Sequence, residues 1–94
     1  MNPSFTARAT ASPDVLYRVV GNEAVLLNLK TEVYLGLDAV GTRMWAMLTT
    51  APSIERAYEL LLQEYDVEPA RLKGDLTEFL EKLVSQKLIE FDCD

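Results

Sequence analysis

The stretch from Val25 to Leu48, VLLNLKTEVYLGLDAVGTRMWAML, limits the available folds more than any other part of the chain. Its first run, residues 25–29, is apolar but for Asn28. Lys30 and Thr31 fit a tight turn, and residues 32–36 run back antiparallel. Asp38 then stands at an N-cap position, ahead of a helix with Val40, Met44, Trp45 and Leu48 on one side. A two-stranded hairpin is marginal by itself in water, so this unit must be covered by the rest of the chain.

The flanking segments supply that cover. Residues 15–20 (VLYRVV) read as a strand ended by the turn-prone pair Gly21-Asn22. With residues 23–29 and 32–36 it makes a three-stranded antiparallel meander. In the third strand Val33 and Leu35 point one way, Glu32 and Tyr34 the other. The second strand carries Val25, Leu27 and Leu29 on one face and Ala24, Leu26 and Asn28 on the other. Both faces are largely apolar, which predicts a strand covered on both sides or central with helices nearby. Leu27 and Trp45 are read as core.

The first helix spans about residues 39–48. Ser53 caps a second, whose Ile54, Ala57, Tyr58, Leu61 and Tyr65 keep the helical period. Pro69 opens a third, with a stripe of Leu72, Leu76, Phe79, Leu80, Leu83 and Val84. Residues 88–91 (LIEF) form a short extended tail that packs beside the sheet or adds to it. Residues 1–13, small and polar, read as a flexible N-terminal tail, and residues 14–91 as one domain. The fold class is α+β and winged-helix-like: a three-stranded antiparallel sheet followed by three helices.

Chemistry is excluded more readily than assigned. The 94 residues include no histidine, which removes Ser-His-Asp, Cys-His and imidazole-based metal sites together. Cys93 is the single cysteine and can make no internal disulfide. Glu55, Glu59, Glu78 and Glu81 fall on solvated helix faces, and no phosphate-cradling glycine loop is present. No enzyme activity and no cofactor are expected. No apolar run nears the roughly 20 residues of a membrane helix, and no secretory signal is recognisable, so a cytoplasmic location away from membranes is expected.

Charge narrows the partners. Residues 1–52 hold four acids and four bases, while the rest of the chain holds eleven acids and five bases, so the helical half carries the whole net charge of −6. Phosphate backbones are bound by cation clusters, so nucleic acid is disfavoured. A winged-helix DNA-binding or regulatory domain remains the alternative, with the third helix as reader. There Arg71, Lys73 and Lys82 are offset by Asp75, Glu78 and Glu81.

Two glycines and one edge stand out. Gly41 in the first turn of the first helix reads as a close backbone approach, and Gly74 as tight packing against a strand or a groove for a ligand backbone. The third strand is short, free of proline and charged at one end only, so its edge is weakly protected. Either it is simply solvated or a peptide adds to it as a further strand. Pairing with a second copy of the chain is a third reading.

Leu27-Asn28-Leu29 with Tyr34 and Leu37, then Gly41-Thr42-Arg43-Met44-Trp45, then Asp75 with Phe79-Leu80 and Leu83, resemble in order and spacing the PqqD family. That family includes the coenzyme-PQQ synthesis chaperone and the leader-recognition proteins of lasso-peptide and related modified-peptide pathways. The resemblance covers about residues 15–91. It implies a non-catalytic domain that binds the leader of a ribosomally made precursor peptide. It also implies presentation of that peptide to a leader protease or a radical SAM modifying enzyme. For the chain itself a monomer or weak homo-oligomer is expected. The leader would add antiparallel to the third strand and lie against the third helix. Carried over, this places Glu32, Val33, Tyr34 and Leu35 on the strand side, and Arg71, Asp75, Leu76, Phe79 and Lys82 on the helix side. One departure is Lys87, where such sequences commonly have glycine.

Overall fold

In the computed structural model, which describes residues 7–92, eight elements follow one another. They are β1 (Arg8–Ala11), β2 (Val15–Val20), β3 (Glu23–Asn28), β4 (Val33–Leu37), α1 (Ala39–Thr50), α2 (Ile54–Glu64), α3 (Pro69–Ser85) and β5 (Ile89–Asp92). The three-stranded meander has the order β2-β3-β4, antiparallel throughout, and the three helices follow it as expected. The fold is α+β.

The hairpin between β3 and β4 is set by Asn28. Its Oδ1 accepts from the backbone N–H of Lys30 (2.9 Å) and of Thr31 (3.1 Å). Its Nδ2 donates to the Lys87 carbonyl at 2.8 Å. One buried amide thus shapes the turn and ties it to the end of α3. A polar side chain is tolerated there because its hydrogen bonds are made. Glu32 closes the turn in the left-handed region, at φ 62°.

The helix ends follow from local chemistry. Asp38 Oδ1 accepts from the Gly41 N–H (2.8 Å) and Ser53 Oγ from the Arg56 N–H (3.1 Å), both N-caps as expected. Past α3, Lys87 N–H donates to the Val84 carbonyl and Leu88 N–H to that of Leu83. This is a Schellman end, with Lys87 at φ 58° in the place that favours glycine. Leu83 and Leu88 are both fully buried and supply its apolar contact.

The core lies between one face of the meander and the helices. Ala24, Leu26 and Leu37 meet Met44, Trp45 and Leu48 of α1, Ile54 and Leu61 of α2, and Leu72, Leu76, Leu80 and Leu83 of α3. Trp45 is buried as expected and stacks on Tyr17 of β2, with ring centroids 6.0 Å apart. Leu27 requires a correction. The core face of β3 is Ala24-Leu26-Asn28, and Leu27 pairs with Tyr34 on the outward face. Period-2 alternation could not decide this, because both faces of the strand are apolar. Nor is β3 covered on both sides: it is central, with helices on one face only.

The N-terminal segment is also corrected. Residues 1–6 of the expected tail lie outside the described residues, but Arg8–Ala11 form a strand antiparallel to β5. The Ala7 carbonyl accepts from Ile54 N–H, and Ser12 N–H donates to the Leu88 carbonyl. Ala7 and Ala9 are buried, since small side chains let this strand lie close to the core. The LIEF tail therefore neither joins the meander nor merely packs beside it. It makes a second, two-stranded sheet with β1.

Gly74 packs against nothing: a Cβ built on it meets no atom within 4 Å. The packing reading of Gly74 gives way to an exposed helix position open to solvent. Gly74→Ala is expected to raise stability by about 1 kcal/mol. Lys87→Gly should add less, because glycine relieves the positive φ yet also loosens the unfolded chain. Urea denaturation of each variant checks both.

Candidate functional site

The register of the meander determines which backbone groups are free. Leu29 N–H donates to the Asp14 carbonyl, so N–H groups at odd positions of β3 face β2. Those of Asn28, Leu26 and Ala24 therefore face β4, where their register partners are Val33, Leu35 and Leu37. By the same alternation, the N–H and C=O groups of Tyr34 and Gly36 point away from β3, towards the open edge. Two donors and two acceptors at a spacing of two residues are what an added strand requires.

Beside this edge lies a cleft of about 300 Å³, lined by Leu35, Gly36, Leu37, Asp38, Gly41, Phe79 and Lys82. Leu35 and Leu37 reach it from β4 and Phe79 from α3, so two elements far apart in sequence form its apolar walls. Lys82 and Asp38 supply opposite charges at its lip. The β4-α1 junction forms the floor. There Gly41 stands where a Cβ would come to 3.3 Å from Asp38 Oδ1 and 3.5 Å from Leu37 Cβ, the close approach expected of it.

The nine expected site residues divide into four groups. Glu32, Val33 and Tyr34 are exposed at the hairpin and edge, with Tyr34 72% accessible. Leu35, Phe79 and Lys82 meet in the cleft. Asp75 and Arg71 lie about one and two turns before Phe79 on α3, exposed and facing each other at 4.0 Å; they do not line the cleft. Leu76 is fully buried and belongs to the core, since its place on the apolar stripe turns it inward. Sequence reasoning missed Gly36, Leu37, Asp38 and Gly41 as cleft residues. Their signal was the strand-to-helix junction itself, which brings the N-cap to the mouth of the cleft.

The Gly41–Trp45 segment has a structural role in this arrangement. Thr42 Oγ1 donates to the Asp38 carbonyl. Arg43 forms a two-pronged pair with Glu64 of α2, at 3.1 Å from Nε and 2.7 Å from Nη2. The hydrogen bond to Glu64 pushes the Arg43 pKa further up. Met44 and Trp45 enter the core. Together they fix α1, and with it the cleft floor, against α2 and the sheet. Among the described residues, no helix is long and apolar enough to cross a membrane.

A winged-helix-like domain with an open strand edge beside a helix-lined cleft is thus defined by geometry. Residues 23–89 match the family described as coenzyme PQQ synthesis protein D (PqqD), and the chain belongs to that family. A solved structure, TbiB1 in complex with the TbiA(beta) leader peptide, superposes with a TM-score of 0.82 at 35% sequence identity. The match covers 90% of this chain and 99% of that one. No curated protein sequence matches.

Proposed function

We propose that this chain binds the leader region of a ribosomally synthesised precursor peptide by strand addition to β4, and presents it to a leader protease or radical SAM modifying enzyme. The observation that carries this reading is the likeness to TbiB1, a protein solved with a leader peptide, joined to an open β4 edge in this chain. Tyr34 and Gly36 offer backbone hydrogen bonds worth about 0.5–1.5 kcal/mol each, whatever the peptide's sequence. The cleft supplies selectivity, taking an apolar peptide side chain between Leu35, Leu37 and Phe79. Glu32 and Val33 border the peptide at the hairpin, while Arg71 and Asp75 border it further along α3.

The chain itself acts as a cytoplasmic tether and performs no chemistry. Holding the leader raises the effective concentration of the remaining precursor at the enzyme to roughly the millimolar range. A DNA-reading α3 finds no support, because Arg71 faces Asp75 and the helix carries no basic stripe. The test is a titration of labelled leader from the cognate precursor. Phe79→Ala, at a half-buried position, is expected to weaken binding about tenfold without unfolding the domain. Affinity unchanged by this substitution would remove the cleft from the site.

A further inference from the structure

The outward face of the meander is left without cover. Leu16 and Val20 of β2 are 48% and 66% accessible, Val25 of β3 is 40%, and Tyr34 of β4 is 72%. Leu27 lies between them, paired across the strands with Leu16 and Tyr34. Apolar surface gathered on one sheet face marks a place where another molecule sits. The chain is acidic, yet the outward strand positions carry only Arg18 and, at a corner, Glu23. Among the described residues Arg18 forms no ion pair, although it stands beside Val25 in the middle of this face.

We infer that this face docks the enzyme that acts on the bound peptide, and that the enzyme presents an apolar patch with a carboxylate placed to meet Arg18. The inference rests on the proposed leader edge and goes on from it. A strand added to β4 lies beside Tyr34, so its own outward side chains extend the same face. An enzyme seated there touches the protein and its bound leader at once, which a tether needs if empty copies are not to compete with loaded ones. A second copy of this chain fits less well. Two-fold packing of the face on itself would bring two Arg18 guanidinium groups together between two molecules that each carry a net charge of −6.

Leu16→Lys, Val20→Lys and Arg18→Glu test this, since strands at a sheet edge accept charged side chains without losing the fold. Each variant is titrated with labelled leader. It is then added to a reconstituted reaction of full-length precursor with its processing enzyme. Leader affinity is expected to stay within about twofold of the parent, while the KM for the precursor rises about tenfold or more. An unchanged KM in the Leu16→Lys/Val20→Lys double variant overturns the inference. So does a parent protein that sediments as a dimer and is made monomeric by the same substitutions. Failure of the parent to bind leader with no enzyme present is a separate result. It overturns the peptide-edge reading and takes this inference with it.

Discussion

Tyr34→Pro is expected to abolish leader binding while leaving the helices folded. The Tyr34 N–H points to the open edge, not to β3, so proline deletes a donor offered to the peptide and keeps the β3–β4 ladder. Proline is tolerated on edge strands for that reason. The preceding residue, Val33, is already extended, as proline requires. Loss of one hydrogen bond costs about 0.5–1.5 kcal/mol, and the ring also obstructs the approaching strand. Together these should bring binding below detection, a loss of at least about thirtyfold. Anisotropy titration gives the affinity, and far-ultraviolet circular dichroism reports the helices. Unchanged affinity would mean that the leader lies somewhere other than on this edge.

Trp45→Ala should have the larger effect on stability. Trp45 is 3% exposed and fills the space between α1 and the sheet, stacked on Tyr17. Truncating a buried tryptophan costs about 3–5 kcal/mol. A domain of this size holds only about 5–15 kcal/mol in total. The thermal midpoint should fall by roughly 20 °C or more. A ligand-contacting tryptophan would show the reverse pattern, with weakened leader binding and a nearly unchanged midpoint.

How much of this was legible in the sequence differs from residue to residue. The hairpin, both side-chain N-caps and the three helices were readable, because Asp38, Ser53 and Pro69 signal helix starts by their own chemistry. The weak β4 edge was readable from what it lacks: no proline and little charge. The orientation of β3 was not, because Leu26 and Leu27 are equally apolar and only the docking of α1 selects between them. Strand β1 was hidden as well. RATA has no β pattern, and its order comes from β5, some eighty residues later. Lys87, where the resemblance implies glycine, holds a positive φ of 58°, so the turn forms there with a strained backbone. Of the residues expected on the helix side, Phe79 and Lys82 line the cleft, whereas Leu76 lies in the core, because a helical stripe does not say which of its members sit at its margin.

The most direct test is amide hydrogen exchange with and without the cognate leader. In the free protein the N–H groups of Tyr34 and Gly36 face solvent and should exchange fast. Strand addition predicts that leader slows both strongly, leaving the amides of β2 unchanged. A leader that binds while Tyr34 and Gly36 still exchange fast, with protection appearing along β2 or nowhere in the sheet, would contradict strand addition at β4.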